Sequence, residues 1–240
     1  MAMNDCSLPE FDIAFQPIID AGSGRIYSQE ALVRGKRGET AQSLFLSIRA
    51  DLLARADALF RHEAIRIAGM AGLDTHLNVS VMPSVLENSA DAMHSTLEAA
   101  ELYHVPGEQL LLQITESEII VDPATFAKRS DDLRQAGLRL VIDDFGAGYA
   151  GLNLLADFQP EVVKLDPKLV RGIERHGPRQ AIVRGIARTC SDLGIDIIAE
   201  GIETESEYFW FLDEGITLFQ GALLARPTLG TLSKVFRLPK

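Results

Sequence analysis

The 240-residue sequence is poor in the residues that build covalent or sulfur-based sites. It has two cysteines, Cys6 and Cys190, and no CxxC pair, which excludes a disulfide framework and fits a reducing cytosol, so a cytoplasmic location is expected. Residues 1–10 carry acidic groups without an apolar segment, so we expect no signal peptide. No apolar run approaches the roughly 20 residues that span a bilayer, so no membrane attachment is expected.

Several motifs of common enzyme classes are also absent. The histidines show no HExxH or similar spacing, which argues against a zinc site, and there is no GxSxG elbow for serine hydrolysis. Positive charge is scarce, since 23 Lys and Arg residues oppose 34 Asp and Glu residues and give a net charge of −11. Binding to a DNA or RNA polymer needs a basic surface and is not expected, whereas a small anion could still bind through metal ions.

Short apolar segments alternate with amphipathic ones throughout the chain, and no linker interrupts them. We therefore predict one domain over residues 1–240, with an ordered core at about 10–236. The predicted strands are residues 11–19, 26–33, 76–82, 109–115, 138–145, 162–166, 196–202 and 218–224. The predicted helices are 41–71, which could be broken into two, 89–103, 123–136, 178–193 and 205–214.

Eight strands interleaved with helices favour parallel pairing, and eight is the number that closes a TIM-type barrel. The short connection at residues 21–24 joins the first two strands without a helix, so a hairpin should make one of them antiparallel. The predicted fold class is therefore α/β, a modified TIM-type (β/α)8 barrel with one antiparallel strand near the N-terminus. An open doubly wound sheet is the alternative, weakened because no glycine-rich phosphate loop follows the first strand.

One stretch joins an apolar strand to two adjacent carboxylates. Residues 140–142 lead directly into Asp143 and Asp144, and Gly146 and Gly148 follow. An unpaired carboxylate in an apolar interior is driven to protonate, so the pair should lie at the open end of the strand, facing cations. Adjacent carboxylates suit two divalent metals about 3.5–4 Å apart. A simple turn that closes a strand is the other interpretation.

Polar residues also occur near the C-terminal ends of the other predicted strands. They are Gln16, Glu30, Asn78, Gln113, Lys164, Asp166, Glu200 and Gln220. Each alone could be a satisfied core amide or a structural ion pair. Together they favour a hard-cation site for Mg²⁺ or Mn²⁺, because barrel active sites lie at the C-terminal ends of the strands.

The motifs that carry these residues resemble EAL domains, the bacterial cyclic di-GMP phosphodiesterases, over nearly the whole length. They are FQPI at 15–18, EALVRG at 30–35, NVS at 78–80, ITES at 114–117, DDFGAG at 143–148, VKLD at 163–166, AEGIET at 199–204, and Gln220-Gly221 through Arg226-Pro227. The resemblance implies a barrel that binds cyclic di-GMP and two divalent cations, Mg²⁺ or Mn²⁺, and opens the ring to linear pGpG.

The resemblance also implies roles for individual residues. Glu30, Asn78 and Asp143 would hold one cation together with residue 113, and Asp143, Asp144 and Glu200 the other. Lys164 would hold the attacking water or a phosphate oxygen, and Glu200 would act as general base. Arg34 would grip a phosphate, Glu116 would anchor the loop at residues 145–152, and the nucleotide would be lined by Gln16, Leu32, Asp166, Glu203 and Gln220.

The sequence departs from the family at one implied metal ligand. Active members carry a glutamate two residues before the threonine of the ITE motif, where this chain has Gln113. The amide keeps an oxygen and the shape but loses a negative charge, so the first cation should bind more weakly. A catalytically impaired domain that senses cyclic di-GMP or docks on a protein is therefore the alternative function.

Two milder departures resemble the short subgroup attached to blue-light-sensing domains. The loop reads FGAGYAGL rather than FGTGYSSL, and the stretch between Glu30 and Asn78 is short. The resemblance implies a possible regulatory protein or sensory domain and a homodimer formed near residues 151–157, where Leu152, Leu154 and Leu155 are either interface or core. Another barrel metalloenzyme, such as an enolase-like lyase, would leave EALVRG unexplained.

Overall fold

A computed structural model describes residues 8–88, 90–116, 123–148 and 151–239. The strands are β1 (Phe11–Asp20), β2 (Arg25–Gly35), β3 (His76–Ser80), β4 (Leu110–Thr115), β5 (Arg139–Phe145), β6 (Val162–Leu165), β7 (Asp196–Ala199), β8 (Leu218–Phe219) and β9 (Thr228–Leu229). The α-helices are α1 (Ala41–Ser47), α2 (Leu53–Met70), α3 (Pro83–Asn88), α4 (Ala90–Leu102), α5 (Pro123–Gln135), α6 (Gly151–Phe158), α7 (Pro167–Val170), α8 (Gly177–Leu193) and α9 (Glu205–Asp213).

The sheet closes on itself through its first strand. Strands β2 to β8 pair in chain order and are parallel. Strand β1 is antiparallel to both β2 and β8, with Ile19 opposite Phe219 at the second contact. Strand β9 is bonded to β1 outside the barrel. The predicted eight-stranded barrel with one antiparallel strand is confirmed, and the open doubly wound sheet is wrong.

Some element boundaries differ from the prediction because glycines turn the chain. The predicted strands 196–202 and 218–224 stop at Ala199 and Phe219. Gly201 has a positive φ of 77°, and a Cβ at Gly221 would collide with the Ile202 backbone. Both segments therefore leave the extended conformation here, and strands β7 and β8 end.

The helical prediction is correct for the long segments and incomplete for the short ones. The predicted helix 41–71 is broken into α1 and α2 by a 3₁₀ turn at Ala50–Leu52. The predicted helix 89–103 corresponds to α4, although residue 89 lies outside the described residues. Helices α3 and α7 and strand β9 were not predicted, because they are too short to show a periodic pattern. Among the described residues, no helix combines the length and apolarity needed to cross a bilayer.

The barrel interior changes from apolar to polar along the strands. One buried cluster contains Ile18, Leu111, Val141, Val162, Ile198 and Leu218. Because side chains two residues apart point to the same face of a strand, the next interior layer is formed by Gln16, Gln113, Asp143, Lys164, Glu200 and Gln220. A second, larger cluster fills the space between the strands and the helices. The polar residues therefore all point into the barrel at one of its ends.

The N-terminus of α9 depends on one buried carboxylate. Glu207 accepts hydrogen bonds from the backbone N–H groups of Gly172 (2.8 Å), Glu203 (2.9 Å) and Thr204 (3.0 Å), and Thr204 completes a capping box. Burial alone would raise the pKa of Glu207, but these backbone donors hold the pKa below its ordinary value. The charged form therefore stabilises the fold.

We expect Glu207→Gln to lower the free energy of unfolding by about 1–3 kcal/mol at pH 7, because one acceptor oxygen is replaced by a donor. The stabilisation is present above the unfolded-state pKa of about 4.3 and is lost as pH falls through the lower folded-state pKa. Urea unfolding at pH 7 and pH 3 measures both effects. The exposed Glu101→Gln is the control, and an equal difference at both pH values would contradict the prediction.

Candidate functional site

A fully buried ammonium lies at the centre of the polar layer. Lys164 Nζ is 2.8 Å from Glu30 Oε1, 3.1 Å from Asp143 Oδ1 and 2.9 Å from Glu200 Oε2, and its side chain is 0% exposed. Burial alone would lower the pKa of Lys164, but the three surrounding carboxylates hold the pKa well above its ordinary value. Lys164, on β6, is therefore charged and pairs with carboxylates from β2, β5 and the residue after β7.

Glu30 is the most enclosed of these carboxylates. Its Oε1 accepts a second hydrogen bond from Gln113 Nε2 at 2.8 Å, and its Oε2 accepts from Gln220 Nε2. Burial alone would raise the pKa of Glu30, but the Lys164 ammonium and the two amide donors hold the pKa below its ordinary value. Gln220 also donates to Gln16 Oε1 at 3.3 Å, so Gln16 joins the same network.

Gln113 lies between two carboxylates and presents its NH₂ group to both. Its Nε2 is 2.8 Å from Glu30 Oε1 and 2.5 Å from Asp143 Oδ2, and its Oε1 accepts from Asn78 Nδ2 at 3.4 Å. Asn78 Oδ1 is buried and has no hydrogen-bond partner among the described residues. The structure thus brings the four residues predicted for the first cation together, but the carboxamide lies among them as a donor.

The residues predicted for the second cation form a more open group. Asp143, Asp144 and Glu200 each offer a carboxylate oxygen within 4.8 Å of the others. Burial and the neighbouring Asp143 and Asp166 charges raise the pKa of Asp144 to about 6, with a smaller opposing effect of Lys164. Burial likewise raises the pKa of Glu200. Three half-buried oxygens that repel one another fit a hard divalent cation.

The other predicted substrate-binding residues lie around this cluster or away from it. Leu32 is half-buried beside Phe45 of α1. Asp166 accepts from Lys168 N at 2.5 Å and so caps α7. Arg34 donates to the Val33 carbonyl at 2.8 Å, and Glu203 is an exposed partner of Arg171; neither contacts the cluster among the described residues.

Glu116 supports the start of the glycine loop that follows Asp144. Its backbone N–H donates to the Asp143 carbonyl at 2.9 Å, and its Oε2 accepts from Gly146 N at 2.5 Å. A Cβ at Gly148 would come within 2.9 Å of Glu116 Oε1, so a larger residue there would make the Glu116 carboxylate shift. Residues 149 and 150 of the predicted loop lie outside the described residues.

A groove of about 640 Å³ opens beside the cluster, a size typical of small-molecule sites. It is lined by Gln113 and Asp144 at one end and by Phe45, Leu46 and Met82 at the other. It therefore joins a charged end to an apolar wall from α1.

The groove wall rests on a buried ion pair that the sequence analysis missed. Arg61 Nη1 is 2.6 Å from Asp57 Oδ2 and donates to the Ser80 carbonyl at 3.2 Å. Asp57 Oδ1 accepts from Met82 N at 3.1 Å. This pair fixes the turn after β3. The sequence offered one signal for this ion pair: two opposite charges lie four residues apart on an otherwise apolar face of the helix.

The family is decided by comparison with known sequences. Residues 1–227 match the EAL domain. The chain belongs to the EAL domain family.

Among individual relatives, this EAL chain is 34% identical to the blue light- and temperature-regulated antirepressor BluF of Escherichia coli, over 92% of the chain and 55% of BluF. It is 29% identical to the cyclic di-GMP phosphodiesterase RocR of Pseudomonas aeruginosa, over 91% of the chain and 57% of RocR. The chain thus spans somewhat over half the length of these curated relatives.

The structural comparison agrees with the sequence comparison. Klebsiella pneumoniae BlrP1, solved with calcium and cyclic di-GMP, superposes with a TM-score of 0.89 and 36% identity, over 99% of this chain and 61% of BlrP1. BlrP1 has also been solved with manganese and cyclic di-GMP. These neighbours share the TIM-type barrel described above, and the EAL sequence of this chain is Glu30-Ala31-Leu32.

We expect Lys164→Met to lower the free energy of unfolding of the metal-free protein by about 3–5 kcal/mol, because it leaves buried carboxylates without their cation. Thermal unfolding without and with Mn²⁺ is the measurement, and Mn²⁺ should recover more stability in the variant than in the wild type. The exposed Lys168→Met serves as control. Equal stability of variant and wild type without metal would contradict the central role of Lys164.

Proposed function

We propose that the chain is one EAL domain over residues 1–240 that hydrolyses cyclic di-GMP to linear pGpG with Mg²⁺ or Mn²⁺. The single observation that carries this is the convergence of Glu30, Asp143, Lys164 and Glu200 within 2.8–3.1 Å contacts at the strand ends. The phosphodiesterase name of RocR and the complexes of BlrP1 support the choice of ligand and reaction.

Asp143, Asp144 and Glu200 would hold a divalent cation, since their oxygens converge within 4.8 Å. When bound, the ion would neutralise charge on a phosphoryl oxygen and make a coordinated water more acidic. Asn78 and Glu30 are proposed to line the position of the first cation, and Gln113 contacts both residues.

The chain's own residues then orient the substrate and move the proton. The Lys164 ammonium would hold the attacking water or a phosphate oxygen. Glu200, whose side chain is 26% exposed at the mouth, would accept the water proton. The water oxygen forms a bond to phosphorus as the P–O3′ bond breaks. The leaving O3′ takes up a proton from solvent, and Glu200 returns its proton to solvent at the exposed mouth. Arg34 would turn from the Val33 carbonyl to a phosphate.

The remaining contacts complete the proposal. The nucleotide would lie along the groove, lined by Gln16, Leu32, Asp166, Glu203 and Gln220. Glu116 would couple occupancy of the site to the glycine loop through its bond to Gly146 N.

The test is release of pGpG from cyclic di-GMP in excess Mn²⁺, followed by chromatography. We expect Glu30→Ala to lower kcat/KM by about 100-fold or more, because it removes the carboxylate that positions the Lys164 ammonium at 2.8 Å. The exposed Glu101→Ala should leave the rate unchanged. Wild-type release no faster than that of Glu30→Ala would reject hydrolysis.

One observation favours a second candidate, a module that binds cyclic di-GMP or a protein without turnover. The Gln113 NH₂ group lies where active members carry a carboxylate. The relative BluF is named an antirepressor, which supports a regulatory protein as the partner of this chain. Calorimetric binding of cyclic di-GMP in Ca²⁺, without pGpG release in Mn²⁺, would select this function, whereas rapid turnover would reject it.

A homodimer through α6 and α8 is part of the proposal. Leu152 is 66% exposed next to a cavity of about 680 Å³ bordered by Ile182 and Ile186, whereas Leu154 and Leu155 are buried in the core. Leu152 is therefore the member of the predicted leucine face that a partner could cover.

We expect Leu152→Glu to convert the dimer to monomer, because it places a charge in the centre of an apolar contact. Sedimentation velocity is the measurement. Leu46→Glu makes the same change at a leucine of α1 that is 83% exposed and should leave the dimer intact. A wild-type monomer at high concentration would reject the dimer.

A further inference from the structure

We propose that the side-chain amide of Gln113 takes the place of one of the two cations, so that this chain binds a single divalent cation, at Asp143, Asp144 and Glu200. The inference rests on the proposed function only in assuming that the site takes up metal. It differs from mere weakening of the first cation, because it predicts a different number of bound ions.

The hydrogen-bond network fixes which way the amide faces. Gln113 Nε2 lies 2.8 Å from Glu30 Oε1 and 2.5 Å from Asp143 Oδ2. Turning the amide over would press its oxygen against two carboxylate oxygens, none of which carries a hydrogen when ionised. Asn78 Nδ2 donates to Gln113 Oε1 from the other side at 3.4 Å. Only the observed orientation gives every contact a donor and an acceptor.

The NH₂ group occupies the point on which the Glu30 and Asp143 oxygens converge. A glutamate at position 113 has no hydrogen to donate there. It would add a third carboxylate to the two that Lys164 already contacts, and the added repulsion would favour a divalent cation between them. The glutamine supplies two N–H donors instead, and each hydrogen bond to a carboxylate is charge-assisted. The amide therefore holds the two carboxylates together in the absence of an ion.

A cation that entered this position would have to displace both hydrogen bonds. Gln113 would have to turn its oxygen inward, which would also end the hydrogen bond that its Oε1 accepts from Asn78 Nδ2. Both amides are buried, so neither can make these bonds to water instead. The second position requires no amide to turn, because the carboxylate oxygens of Asp143, Asp144 and Glu200 already converge, although Asp143 and Glu200 would share a cation with Lys164.

The test counts bound ions without using cyclic di-GMP. Mn²⁺ is titrated into the full chain, and free Mn²⁺ is followed by electron paramagnetic resonance. We expect one bound ion in the wild type, two in Gln113→Glu and none in Asp144→Asn. The second ion of Gln113→Glu should bind about 10- to 100-fold more tightly than any further ion in the wild type. Gln135→Glu, the same change at an exposed position, should leave the count at one.

Folding of each variant is checked by circular dichroism in Mn²⁺. Gln113→Met, which neither donates nor ligates, should keep one ion and covers the case in which Gln113→Glu fails to fold. Two ions of similar affinity in the wild type, no ion in the wild type, or one ion in folded Gln113→Glu would each overturn the proposal. The expected counts without pGpG release would reject hydrolysis and leave this inference standing.

Discussion

The contact on which the rest of the structure depends is the shared ammonium of Lys164. It contacts the carboxylates of Glu30 from β2, Asp143 from β5 and Glu200 from the end of β7, so it joins strands that lie on different sides of the barrel. A buried charge without partners is costly, and so are three buried carboxylates without a cation. The polar layer is therefore stable in the folded barrel only with all four groups in place.

The side-chain amides around Lys164 also stabilise the buried carboxylates. Gln220 and Gln113 direct N–H groups at Glu30, and Gln16 joins Gln220, so the carboxylates are satisfied by neutral donors as well as by Lys164. Below them the apolar layer from Ile18 to Leu218 excludes water from one side. The result is a rigid, negatively charged mouth whose more open part is formed by Asp143, Asp144 and Glu200.

The sequence allowed the barrel and the membership of the polar layer to be predicted, because both follow from a period of two in strands such as β5 and from the count of eight. It did not predict the ends of β7 and β8, which depend on the close approach of Gly221 to the Ile202 backbone. Nor could it predict that Gln113 faces the carboxylates with its NH₂ group, or that Leu154 and Leu155 are core while Leu152 is exposed. Those features are decided by contacts between residues far apart in the chain.

The inverted first strand has a consequence for how signals could reach the mouth. In a regular barrel the first strand starts at the base, far from the chemistry. Here Phe11 lies opposite Gly35, the last residue of β2, so β1 begins at the end of the barrel that carries the polar layer and runs away from that end past Gln16. Any polypeptide joined ahead of β1 would therefore meet the barrel beside the mouth, and a displacement of β1 there would act directly on Gln16 and its hydrogen-bond partner Gln220.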